Sequence, residues 1–245
     1  LLYWVKAIAH GWRLDVLVDE PDVSPLAIQG PRSDDLMARV FGDKVRDVRF
    51  FRYGVFDFQG RDLVVARSGY SKQGGFEIYV EGSDIGMPLW NALMEAGKSM
   101  DVRAGCPNQI ERIESGLLSY GNDMNRSNTP LECRLDRFLA LDVEGADFMG
   151  KDALLRQRDE GLKQALTGVK IAGDPIAPLA FPFAAKLNER PAGIVTSAVH
   201  SADMGSNIGF AMLAIEACEP GTTISVETPQ GWRQAEVCDL PFTRP

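Results

Sequence analysis

Gly74-Gly75-Phe76-Glu77-Ile78-Tyr79-Val80 alternates apolar and polar side chains with the period of two that belongs to a half-buried strand. Successive side chains on a strand leave opposite faces, so Phe76, Ile78 and Val80 share one face and Glu77 and Tyr79 the other. The apolar trio is predicted to pack inward. A carboxylate and a phenol are then left side by side, next to a glycine-rich turn carrying Tyr70 and Lys72.

Working outward, residues 55–58 and 62–66 read as strands joined by a tight turn at Gln59-Gly60-Arg61, and residues 45–53 read as another strand from their aromatic and β-branched content. Ser24 to Gly30 is a short apolar strand, and Pro31 opens a helix with Leu36, Met37 and Val40 on one face, stopped by Gly42. Residues 1–18 read as a strand, a turn at His10-Gly11, and a strand or short helix. Residues 87–96 form an amphipathic helix ended by Gly97, and a further helix is predicted over 107–118 with Ile110, Ile113 and Leu117 as its stripe. A polar loop, a strand over 138–143 and a helix over 151–160 follow.

Strands and helices thus mix up to about residue 165, which is an α+β pattern. Beyond it, Pro175, Pro178 and Pro182 forbid regular structure over 173–182, and residues 193–199, 208–215, 222–227 and 235–240 are all strand-like. Two domains are expected: a mixed region over 1–165 and a small β-rich domain over 166–245.

The chain has 245 residues with 26 basic and 34 acidic side chains, a net charge of −8, which argues against a nucleic-acid surface. No uncharged apolar run reaches the roughly 18–20 residues of a membrane span. Cys106, Cys133, Cys218 and Cys238 are widely spaced and only His10 and His200 could join them, so neither a metal site nor a disulfide framework is expected; a reducing cytoplasm fits better. Gly145 to Lys151 has the spacing of a phosphate-binding loop, but Asp152 stands where a hydroxyl must reach magnesium. Gly69 to Gln73 misses the nucleophile elbow, which needs glycine at Gln73. Leu1 begins at full hydrophobic strength, as if a strand had something before it.

Two positions carry an open choice. Glu77 is either a solvated acid on a half-exposed strand or a ligand group. Arg112 falls off the apolar stripe of its helix beside Gly116, and is either an exposed flank residue or a cation placed where a ligand approaches the backbone.

Several blocks are similar to the aminomethyltransferase (glycine-cleavage T-protein) family: Ser24 to Pro31, Ser68-Gly69-Tyr70 with Gly75-Phe76-Glu77, and Arg112 to Leu117 with Tyr120 to Asp123. Thr129 to Glu132, Phe148 to Lys151, and Val195-Thr196-Ser197 with Asn207-Ile208-Gly209 continue the likeness in order along the chain. The resemblance implies lobes of ferredoxin-like and mixed α/β character around a folate cleft, followed by a β-rich unit. It implies tetrahydrofolate as the bound partner, with Glu77, Arg112 and Tyr70 as its contacts. A carboxylate accepts the paired N–H donors of a pterin edge, and an arginine fork suits the acidic folate tail or a ring acceptor. It also implies a family segment upstream of Leu1, without which the 245 residues are expected to be inactive.

Within that family, aminomethyltransferases carry an acidic pair between the Tyr and the Glu, whereas this chain has Ser71-Lys72-Gln73-Gly74-Gly75. Losing two acids and gaining a lysine disfavours a cationic aminomethyl donor. The segment, with Met87 to Trp90 and Gly105 to Asn108, looks like the dimethylsulfoniopropionate demethylase branch. That branch implies a small sulfonium substrate, held by the aromatic faces of Tyr70, Tyr79 and the Phe50-Phe51 pair and, at its carboxylate, by Lys72. A Trp is implied where Tyr70 stands, so the cage is the weaker here. The methyl passes from sulfur to N5 of tetrahydrofolate, so no protein nucleophile, metal or redox centre is called for. The alternatives are an aminomethyltransferase acting on a lipoyl carrier protein, and a non-catalytic folate-binding protein.

Overall fold

The computed structural model describes residues 1–242 and separates into two compact units, Leu1–Cys106 and Pro107–Pro245. In the first, the strands β1 (Val23–Gln29), β2 (Tyr53–Phe58), β3 (Arg61–Ala66) and β4 (Gly75–Glu81) form an antiparallel sheet in the order β1-β4-β3-β2. The β2–β3 turn is the tight kind foreseen: Gln59 and Gly60 both take positive φ, 55° and 80°, which matches the twist of a two-residue hairpin.

The helices α2 (Ser33–Phe41) and α3 (Gly86–Gly97) cover one face of this sheet. Leu36 and Met37 of α2 and Leu89 and Leu93 of α3 are buried in one cluster with Ile28, Leu63, Val65, Phe76, Ile78 and Val80. The inward trio of β4 is therefore placed as its alternation required, and Gly42 ends α2.

In the second unit, α4 (Gln109–Glu114), α5 (Lys151–Glu160) and long irregular loops accompany a closed six-stranded barrel. Its strands are β5 (Gln164–Ile171), β6 (Phe183–Leu187), β7 (Arg190–Ser201), β8 (Ser206–Ala214), β9 (Thr223–Thr228) and β10 (Gly231–Cys238), ordered β10-β5-β8-β7-β6-β9. Closure leaves no free edge. The barrel is filled by small and branched side chains, among them Ala165, Val169, Val195, Leu213, Val226 and Val237. The α+β class with a β-rich C-terminal part is thus present.

Several elements differ from the sequence reading, which named four of the six barrel strands and neither β5 nor β6. Residues 2–11 form a helix, α1 (Leu2–Gly11), where a strand was expected; a short apolar run does not by itself separate the two. Residues 43–47 form a 3-10 turn that buries Val45 and, three residues on, Val48, so the branched residues serve a period of three. The strand expected over 138–143 is a 3-10 turn at Asp136–Phe138 followed by irregular chain. Helix α4 stops early at a C-terminal motif: Gly116 takes φ 71°, Leu117 N–H donates to Arg112 O at 2.8 Å and Gly116 N–H to Ile113 O at 3.0 Å.

Candidate functional site

The outer face of the first unit's sheet is built by pairing partners, which share a face. Glu77 lies between Ala27 on β1 and Ala66 on β3; Tyr79 lies between Pro25 and Val64. Two alanine methyl groups thus flank the carboxylate, leaving a low, flat floor around it. Beyond them Tyr53, Val55, Val64 and Tyr79 remain exposed. The plain alternative, a freely solvated acid, does not describe Glu77: its side chain is half-buried and its Oε2 accepts the Ser68 hydroxyl at 2.5 Å.

The segment from Arg67 to Gly75 rises beside this floor. Arg67 anchors its start, with its guanidinium donating to both Asp34 oxygens at 2.8 and 2.9 Å and lying 4.8 Å from the Phe76 ring centroid. Tyr70 and Lys72 sit further along it, both exposed. Phe50 and Phe51 stand on an exposed turn with ring centroids 4.4 Å apart, and Phe51 has φ 55°, a sterically costly conformation for a bulky residue.

Arg112 belongs to the second unit, and the structure assigns its side chain other work than a free fork. It is 4% exposed. Nε donates to Gln109 Oε1, Nη1 to Leu117 O and Asp123 Oδ2, and Nη2 to Ser197 Oγ, which occupies four of its five N–H donors. Asp123, 2% exposed, accepts in addition from the Ser119 N–H, the Thr196 hydroxyl and the Ser197 hydroxyl. A bulge between Val195 and Ser197 lets the neighbours Thr196 and Ser197 both reach it, which regular alternation forbids.

The same helix sends Glu114 to the Ser201 hydroxyl, and the position of Gly116 is closed by Pro241, whose Cα lies 3.5 Å from where a Cβ would sit. The Arg112-Glu114-Gly116 block therefore fastens α4 to the barrel.

Sequence reading gave no role to Ser68, Asp123, Thr196 or Ser197. All four lie inside the blocks that carried the resemblance, and that was their only signal; their partners are 4 to 85 residues away. Asn207 is a further case. Its side-chain amide donates to Ile171, Gly173 and Asp174 carbonyls and its oxygen accepts the Ile176 N–H, pinning the proline-rich segment to the barrel.

Two family models match the chain: the GCVT N-terminal domain over residues 2–143 and the glycine cleavage T-protein C-terminal barrel domain over residues 165–243. The chain is 56% identical over 232 residues to the dimethylsulfoniopropionate demethylase DmdA of Ruegeria pomeroyi, covering 94% of this chain and 62% of that protein. It is 31% identical over 241 residues to the aminomethyltransferase of Halothermothrix orenii, covering 98% of this chain and 66% of that one. The crystal structure of the glycine cleavage system aminomethyltransferase T from Bartonella henselae superposes with a TM-score of 0.83 at 24% identity, over 99% of this chain and 66% of that one, and so shares the fold. With a GCVT N-terminal domain match over more than half its length and the T-protein barrel after it, the chain belongs to the glycine-cleavage T-protein family.

Proposed function

We propose that the protein carrying this chain is a tetrahydrofolate-dependent methyltransferase that demethylates dimethylsulfoniopropionate or a closely similar sulfonium. The observation that carries the reading is the 56% identity to a protein named as that demethylase, against 31% to an aminomethyltransferase. The lysine at position 72 and the lack of any acid from Ser71 to Gly75 support the same branch.

The outer face of the first sheet fits a reduced pterin. A half-buried carboxylate set among small side chains accepts paired N–H donors at the edge of a flat ring, and the Ser68 hydroxyl holds that carboxylate in one orientation. Glu77 is therefore the folate-binding residue, with Tyr70 as a further contact. Arg112, the second folate contact that the family resemblance implies, also holds the Ser119–Asp123 turn and α4 in place. Tyr70 and Tyr79 offer ring faces to the sulfonium, each contributing about 0.5–2 kcal/mol, and Lys72 takes the carboxylate of the donor.

When bound, tetrahydrofolate would supply a methyl acceptor at N5: a nitrogen–carbon bond would form as the sulfur–carbon bond breaks with its electron pair kept on sulfur in methylthiopropionate, and the N5 proton would be lost to solvent as the products leave. The protein side chains contribute alignment and exclusion of water. Four free cysteines support a reducing compartment, the cytoplasm, and among the described residues no helix is long and apolar enough to cross a membrane.

The test is turnover of a methyl-deuterated sulfonium with tetrahydrofolate, followed by mass spectrometry. Label in 5-methyltetrahydrofolate is expected; turnover with an aminomethyl-lipoyl carrier and release of ammonia, with none from the sulfonium, would instead make it an aminomethyltransferase.

A further inference from the structure

Gln29 is a polar side chain on the outer face of the first sheet, in the row of Ala27 and Pro25, and it pairs across to Gly75, two residues before Glu77. Its amide is spent on the chain around it. Nε2 lies 3.2 Å from the Ile28 carbonyl, 3.1 Å from that of Ser68 and 3.3 Å from that of Phe76, so its two hydrogens are shared among three acceptors. Oε1 accepts the Ser71 hydroxyl at 2.7 Å. With carbonyls around the nitrogen and a hydroxyl at the oxygen, only this orientation of the amide satisfies both ends.

One side chain thus stitches together β1, β4, the segment leaving β3, and the middle of the 67–75 loop. The glycines of that loop are shaped around it. A Cβ at Gly69 would lie 2.1 Å from Gln29 Oε1, and one at Gly75 would lie 2.3 Å from Ile28 O and 2.5 Å from Gln29 Nε2. Ser71 passes the restraint on, since its oxygen also accepts the Gln73 N–H at 3.2 Å and its hydroxyl reaches the Gln73 carbonyl at 3.1 Å. Tyr70 and Lys72 flank Ser71 directly.

We infer that Gln29 is a positioning residue for the methyl donor: through Ser71 and the two glycines it fixes the loop that presents Tyr70 and Lys72 beside Glu77. The inference rests on the proposed reading of that loop as the donor side. Gln29 touches no substrate. Its loss acts on the donor through Tyr70 and Lys72; Ser71→Ala, which spares the Gln29 bond to the Ser68 carbonyl, leaves the Ser68 hydrogen bond to Glu77 in place.

The test compares Gln29→Met, which removes all four bonds at equal length and leaves the Ser71–Gln73 bonds, with Ser71→Ala, which cuts the tether together with the Ser71–Gln73 bonds and leaves the sheet contacts intact. Trypsin cleavage after Lys72, followed by mass spectrometry, reads the anchoring without any assay of activity. Each variant is expected to raise that cleavage rate by about 5-fold or more, with cleavage after Lys44 unchanged and the thermal midpoint of Ser71→Ala unmoved. In the intact protein the KM for dimethylsulfoniopropionate is expected to rise by about 5–20-fold, several times more than tetrahydrofolate affinity falls through the shared contact Tyr70, while kcat changes less than about 2-fold. Unchanged cleavage after Lys72 in Ser71→Ala overturns the inference, whether or not Gln29→Met folds. Faster cleavage with an unaltered donor KM leaves Gln29 as the anchor but overturns the donor-side reading of the loop.

Discussion

The buried Arg112–Asp123 pair, at 2.8 Å and with side-chain exposures of 4% and 0%, is a demanding electrostatic feature. Each charge is out of water, and each is met by further hydrogen bonds, so removing one partner strands the other. Asp123→Ala is expected to cost about 3–5 kcal/mol, measured by urea unfolding. Arg112→Lys keeps the charge but not the fork, and should lose much of the same stability. A variant of Arg112 that unfolds no more easily than the parent but binds tetrahydrofolate worse would make its contact with the ligand outweigh this structural work.

The thiols give a second residue-scale expectation. Burial pushes the Cys133 thiol up to about 11, helped by the nearby charges of Glu132 and Asp123, and burial does the same for Cys238. Only Cys106 is exposed. Iodoacetamide on the folded protein, read by peptide mass spectrometry, should therefore modify Cys106 well before Cys133 or Cys238.

At the scale of elements, glycines mark where backbone closes on backbone. Gly193 in β7 has φ 137°, and a Cβ there would lie 2.1 Å from Met212 O on β8. Gly193→Ala should destabilise by about 1–3 kcal/mol, seen as an earlier unfolding transition, whereas Gly105→Ala, with open space around it, should not.

Elements whose burial follows a single period were legible in the sequence: β4 with its period of two, α2 with Leu36 and Met37 ended by Gly42, and the hairpin at Gln59-Gly60. Val45 and Val48 misled because branched residues favour strands by propensity but here pack at 3-10 spacing. Glu77 was visible because alternation put it outward. Ser68, Asp123 and Gln29 stayed silent, since their work lies in hydrogen bonds to residues distant in sequence that no local pattern encodes.

For the whole molecule, the raised thiols set an alkaline limit. The unfolded chain ionises these thiols near their ordinary value of 9.0, while folded Cys133 and Cys238 hold their protons until about 11. Their contribution to stability is therefore complete below about pH 9 and lost as the pH rises toward about 11. Urea midpoints at about pH 8 and about pH 10.5 should differ by less in a Cys133→Ala, Cys238→Ala double variant than in the parent, once each is referred to its own stability at about pH 8.

One unit carries a sheet face floored by alanines with one oriented acid, and the other a barrel tied through Thr196 and Ser197 to a buried ion pair on a short helix. The central claim is that the reduced pterin lies against the acid. It is tested by titrating tetrahydrofolate into the Glu77→Gln variant of the intact protein and the parent by calorimetry. Loss of a charge-assisted pair should weaken binding by about 10–100-fold with the unfolding midpoint unchanged; equal affinity in the two proteins would contradict it.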